Sequence, residues 1–259
     1  MALELNEPRK VYKEFYGRNI DKMPELIEQG FSPLSMAQVM QRRLDVLGST
    51  PEVKDAWWMN YFDTGDGIAY DRSGNIKIEY DSPTMRSLNP ESKLKSGALV
   101  LADDDAFEKI QGPEFTSKDI AKYKFNESLR ESDVNEHPFW MALARGDKVL
   151  LKEYAHQVFK KAKETQGYDK NMGVYLSSFR EVPNMRLWLL GRLNNNGSGN
   201  GNYNVDYNDG RLVGVAPEAH GAEKIVTPSL EQVMKASLKY IAPVNAESLR
   251  KELSPLYKN

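Results

Sequence analysis

The segment Tyr61-Phe62-Asp63-Thr64-Gly65-Asp66-Gly67, with Asp71 shortly after it, concentrates the side chains most able to do chemistry. Carboxylates that converge on a loop can hold a hard divalent cation, and glycines permit the tight backbone such a loop needs. Asp63, Asp66 and Asp71 are the ligands this reading selects, and a metal-dependent hydrolase is the activity it implies. The spacing is not that of an EF-hand, because aspartates do not alternate and no Glu stands at the twelfth place. Asp and Gly are also ordinary turn residues, so a plain connecting loop or hairpin is the competing expectation.

The same segment places Asp63-Thr64-Gly65 after two aromatic residues. The triplet resembles the catalytic triplet of aspartic proteases, in which paired aspartates share a proton. The resemblance covers three residues. Asp66 stands where Ser or Ala is usual, and no second triplet follows, so a catalytic pair would require a homodimer. Leu212-Val213-Gly214 is similar to the apolar-apolar-Gly element of that family but lies far down the chain.

Three histidines occur, His137, His156 and His220, and none stands in a helical zinc spacing. His137 precedes Pro138, where helix capping is expected. His220 falls in Glu218-Ala219-His220-Gly221, a predicted loop that Glu223 could join in a composite site. No phosphate-binding loop, dinucleotide fingerprint, nucleophile elbow or kinase signature is present. Cysteine is absent, which excludes disulfides, thiolate metal sites and cysteine nucleophiles.

A second pattern is cationic. At 100° per residue, Lys148, Lys152, His156, Lys160 and Lys163 share about a third of one helix circumference. Apolar side chains use a different arc. Such a stripe can neutralise phosphates or meet an acidic partner. Arg186, Trp188, Arg192, Tyr203 and Tyr207 lie on strands predicted nearby, where aromatic and Arg side chains could stack bases. Residues 137–259 carry 17 Lys and Arg against 12 Asp and Glu, whereas residues 1–136 carry 18 against 25. The basic half is therefore the one expected to contact nucleic acid or an acidic protein.

The elements that must position these groups follow from local signals. Asn6 to Tyr16 reads as a helix. Ser35 with Gln38 forms a capping box for a helix ending at Gly48, and Thr50-Pro51 starts another. Ile68–Tyr70 and Ile76–Tyr80 alternate around Asp71–Asn75, which predicts a hairpin. Residues 97–101 read as a strand, and short helices are expected from Asp103 and Thr116. The longest helix runs from an Asp147 cap to Gly167, burying Leu150, Tyr154 and Val158. Asn184 to Leu193 and Tyr203 to Tyr207 read as strands, Asn208-Asp209-Gly210 as a turn, and Leu212 to Val215 as a return strand. The Asn- and Gly-rich stretch 194–202 is expected to be an exposed loop. Helices are expected from Thr227 and from Asn245.

Segregated helices and hairpins predict an α+β fold, with helices packed on antiparallel hairpin-based sheet and no doubly wound parallel sheet. The chain divides softly into an acidic region 1–130 and a basic region 131–259, with a single domain as the alternative. No signal sequence and no apolar run of membrane length is read, and a cytoplasmic protein is expected. The leading functional reading is a non-enzymatic binding or assembly protein. A hydrolase with a divalent cation cofactor is second. Homo-oligomer and subunit of a larger complex both remain open.

Overall fold

Two long apolar strands organise the chain. The computed structural model describes residues 3–7, 11–193 and 197–217, which belong to the compact unit Met1–Pro217. The helices expected from Thr227 and Asn245, together with Glu218, His220 and Glu223, lie outside the described residues.

The first third runs β1 (Tyr12–Tyr16), α1 (Asn19–Glu28), β2 (Ser32–Pro33), α2 (Met36–Asp45), α3 (Pro51–Trp58), β3 (Phe62–Tyr70) and β4 (Ile76–Glu79). Local chemistry sets several boundaries. Ser35 and Gln38 close a reciprocal capping box at the start of α2, and Pro51 occupies the first turn of α3. Asn6 does not cap a helix. Its carboxamide clamps Tyr12, accepting from the amide at 2.7 Å and donating to the carbonyl at 2.9 Å. The tyrosine- and phenylalanine-rich segment that follows is a strand, as aromatic residues favour when one face is covered.

The middle third is made of short pieces: α4 (Pro83–Arg86), β5 (Leu94–Lys95), β6 (Ala98–Val100), α5 (Asp104–Lys109), β7 (Glu114–Phe115), α6 (Ser117–Ile120), α7 (Glu131–Glu136) and α8 (Pro138–Leu143). The last third holds α9 (Lys148–Gln166), β8 (Val174–Leu176), β9 (Asn184–Leu190), β10 (Gly199–Gly201) and β11 (Arg211–Val215). In α9 the Asp147 carboxylate accepts from the amides of Val149 and Leu150, and Gly167 closes the helix at φ 71°. Leu150, Tyr154 and Val158 are buried, while Lys152, His156 and Lys160 are exposed, as helical periodicity requires.

The strands form one mixed sheet in the order β1-β11-β3-β9-β10-β8. β11 runs antiparallel to β1 and parallel to β3, with Leu212 opposite Asp63. β9 runs antiparallel along the whole of β3, from Phe62 opposite Leu190 to Tyr70 opposite Asn184. Each of these strands changes partner along its other edge. β3 meets β11 near Asp63 and β4 from Gly67 onward; β9 meets β10 at Leu189 and Leu190 and β6 at Asn184 and Met185. The register shift between Asp63 and Gly67 falls where β3 makes that change. This is an α+β fold and not a doubly wound parallel sheet. Trp57, Trp58, Trp140 and Trp188 are all fully buried. Strands drawn from both sides of position 130 share the sheet.

Besides the helix expected over Asn6 to Tyr16, which is replaced by the strand β1, two expectations are corrected. Tyr203–Tyr207 is not a strand. Val205 is driven into the core, donates its amide to the Gly97 carbonyl and accepts from Ile20, so the segment is pinned as an irregular connection. Nor is the glycine-rich stretch wholly an exposed loop. Gly199–Gly201 forms β10, with Gly199 and Gly201 buried. A side chain there would intrude: a Cβ at Gly201 would lie 2.9 Å from Ile68 Cδ1 and from the Tyr70 hydroxyl. Low complexity here reflects steric selection.

Candidate functional site

The acidic segment is a fastening. Asp63 accepts from the Arg211 amide at 2.7 Å, which ties β3 to β11. Thr64 donates to the Trp188 carbonyl at 2.9 Å, which ties it to β9. Asp66 accepts from Met36 N at 2.8 Å, from Asp81 N at 2.9 Å and from Arg145 at 2.7 Å. The first of these places a carboxylate at the N-terminus of α2, where orphan amides and the helix dipole favour it. Asp81 and Arg145 both hold positive φ, at 45° and 58°. A non-glycine residue in that region costs on the order of 1 kcal/mol or more, offset here by convergence on one buried carboxylate. Asp71 accepts twice from Asn75, at 2.7 Å each, and closes the hairpin turn. The three aspartates thus serve different partners, and Asp63 faces a backbone amide where the protease resemblance implies a second carboxylate. Among the described residues no group of three or more His, Asp or Glu is placed to hold a metal ion.

Burial raises the Asp63 carboxyl to about 6, against the opposing pull of the Arg211 amide and the Asn19 side chain. Asp66 is also raised by burial, with Arg145 as the main counterweight.

Two buried arginines fasten connections to the two ends of β9. Arg43, fully buried, donates to Trp57 O at 2.9 Å, Asn60 O at 2.8 Å, Gly191 O at 3.0 Å and the Tyr154 hydroxyl at 2.6 Å. It joins the exit of β9 to the entrance of β3. Arg186 donates to Ser96 O at 2.6 Å, Tyr203 O at 3.0 Å and Asn204 Oδ1 at 2.7 Å. Its guanidinium therefore holds the connection between β10 and β11 and is not offered to solvent. Trp188 is likewise core, edge-on to Phe139. The expectation that Arg186 and Trp188 form a stacking face is corrected on this ground: β9 has both faces covered.

What does reach the surface at this end is aromatic. Tyr16, Tyr203 and Tyr207 are 51%, 41% and 49% exposed. Tyr203 and Tyr207 meet edge to face at 6.2 Å. Tyr61 donates its hydroxyl to Asp209 O at 2.6 Å, and burial pushes it up to about 12. The Arg211 guanidinium lies 5.1 Å from both the Tyr16 and Tyr61 rings and pairs with Glu14 at 2.9 Å. Beside them opens a cleft of about 350 Å³, lined by Tyr61, Arg192, Ser198, Asn200, Tyr203 and Asp209. Of the residues selected from sequence, Arg192 and Tyr203 meet there. Tyr16, Tyr61, Asn200 and Asp209 escaped that reading. The Tyr, Asn, Gly and Ser content of 194–209 was the available signal, because that composition marks adaptable binding loops.

The cationic stripe stands elsewhere. Lys148, Lys152, His156, Lys160 and Lys163 are exposed along α9, and the four lysines have no ion pair among the described residues. His156 Nδ1 lies 3.5 Å from Glu131 of α7. A second cleft, about 360 Å³, opens between these helices. His137 does not cap through its side chain; it is buried among Tyr123, Phe125 and Phe139, and burial lowers it.

No protein family and no curated protein matches the sequence. The fold is similar to a solved structure from Nanoarchaeota, described as accommodating massive sequence variation by the C-type lectin fold, with a TM-score of 0.58 and 21% identity over 82% of this chain and all of that one. At that identity the likeness establishes the fold. No described helix is long and apolar enough to cross a membrane.

Proposed function

We propose that this C-type lectin-fold chain is a binding protein whose recognition surface is the connection from β10 to β11, and that its ligand is a protein or peptide. The observation that carries the reading is the pair Tyr203 and Tyr207, exposed on a connection that is fastened from beneath by Arg186 and Val205. Tyrosine supplies large contact area at low entropic cost, and a preorganised loop spends little of its binding energy on ordering. Asn200, Asn202, Asn208 and Asp209 add adaptable hydrogen bonding around the cleft. The similar structure's description, variation accommodated by the fold, suits a surface whose exposed positions can change while its buried positions hold.

Selection of peptides from a displayed library tests this. Ligands so obtained should lose at least about tenfold in affinity against Tyr203→Ala/Tyr207→Ala, the loss expected of central tyrosines. Ligands that bind the double variant as well as the native protein would sink the proposal.

A second reading, contact with nucleic acid or an acidic protein through α9, is supported by the four exposed lysines without an ion pair among the described residues. Such contact should weaken steeply with salt.

A further inference from the structure

The cleft between α7 and α9 has a chemistry that the stripe alone does not. Its floor is Phe159, 6% exposed, and one wall is Tyr168, 52% exposed without an aromatic neighbour. Lys160 and Lys163 stand on the rim at i and i+3, one face of one helix. Neither ammonium has an ion pair among the described residues. Two carboxylates also line the cleft: Glu131, 3.5 Å from His156 Nδ1, and Asp169.

We propose that this cleft binds a small ligand that joins an aromatic ring to a phosphate, of the size and chemistry of a mononucleotide. The ring lies against Phe159 and Tyr168, and the phosphate meets the Lys160 and Lys163 ammonium groups, which act as point charges on phosphate oxygens. Asp169 is left to accept from hydroxyl or amino groups of the ligand. Size agrees, since ligand clefts begin at about 300 Å³. The carboxylates set the limit on the partner. A duplex needs a continuous basic track for its regularly spaced phosphates. Glu131 and Asp169 also line the cleft, and Glu153 and Glu164 are exposed on α9; these charges repel a run of phosphates more than a single one.

The proposal rests on reading α9 as an anion-binding face, and the two can fail separately. Isothermal titration of the full chain with AMP, adenosine, inorganic phosphate and a single-stranded oligonucleotide distinguishes them. AMP should bind, with adenosine and phosphate each at least about tenfold weaker, because each carries only one half of the contact. Lys160→Ala/Lys163→Ala should reduce AMP affinity to about that of adenosine, and alanine in an exposed helix leaves folding intact. Tyr168→Ala should weaken AMP and adenosine alike and leave phosphate unchanged. Tyr203→Ala/Tyr207→Ala should change none of these values. Absence of AMP binding up to about 5 mM, or AMP binding unaffected by the lysine double variant, would overturn the proposal. Oligonucleotide binding without AMP binding also overturns it, while leaving α9 as a polymer-binding face. AMP binding through the lysines without oligonucleotide binding upholds it and removes the polymer reading.

Discussion

Asp63 shows how a residue can carry the marks of catalysis and serve architecture. Its neighbours in sequence suggested a cation site or a protonated carboxyl pair, because carboxylates and glycines are common to both and to turns. What decides its role is Arg211, 148 residues away, whose amide it accepts. No local pattern reports a partner at that distance. Burial leaves a measurable trace. With its carboxyl raised to about 6, the native state holds the proton more tightly than the unfolded chain does. The stabilising proton is in place below the ordinary aspartate range near 4 and is lost as pH rises through about 6. Stability should therefore increase as pH falls from about 7 to about 5, by roughly 1 kcal/mol from this group. Asp63→Asn cannot ionise and should flatten that interval. Thermal unfolding across the range checks it, and a variant with the native slope would assign the effect to another group.

Elements whose ends are set by adjacent side chains were legible. The capping box of α2, the Asp147 cap and Gly167 stop of α9, and the hairpin of β3 and β4 are encoded within a few residues of where they act. β10 was not, because its reason is the space around it. Its glycines pass between α8 and the side chains of β3, where Tyr70 donates to Gly201 O at 2.7 Å. Gly199 has more room: a Cβ there would lie 3.3 Å from Leu143 Cδ1. Gly201→Ala should destabilise by about 1–3 kcal/mol through overpacking, and Gly199→Ala by clearly less. Equal losses in chemical denaturation would show that flexibility, not space, selects these glycines. The same logic explains Tyr203–Tyr207, whose alternation is real but has no strand to pair with. Alternation reports which side chains turn inward; it does not supply a hydrogen-bonding neighbour.

At the scale of the molecule, the fold class was legible and the site only in part. Composition and segregated patterns sufficed for α+β. The aromatic cluster beside the proposed recognition surface instead collects Tyr16, Tyr61, Tyr203 and Tyr207 from segments brought together because β11 lies beside both β1 and β3. Its outward positions bear little of the fold's stability. Simultaneous substitution of Asn202, Tyr203, Tyr207, Asn208 and Asp209 by other polar residues should leave the melting temperature within about 10 °C, since five exposed changes of up to about 0.5 kcal/mol each sum to at most about 2.5 kcal/mol. Substitution of Val205 by Asp should unfold the connection or the protein, because it places a charge at 1% exposure. A large loss of melting temperature from the outward set alone would show that the surface is structural. That β11 lies between β1 and β3 also has a temporal side. During synthesis, β1 emerges long before the strand that must sit beside it. At 5–20 residues per second, roughly 10–40 s separate Tyr16 from Val215. During that interval the edge of β1 and, once it has been made, the facing edge of β3 are unpaired templates open to any passing strand. A nascent chain arrested before Arg211 should therefore be protease-sensitive and prone to aggregate, whereas one arrested after residue 217 has cleared the ribosome should resist digestion. The interval of greatest vulnerability for this sheet ends when β11 arrives between β1 and β3.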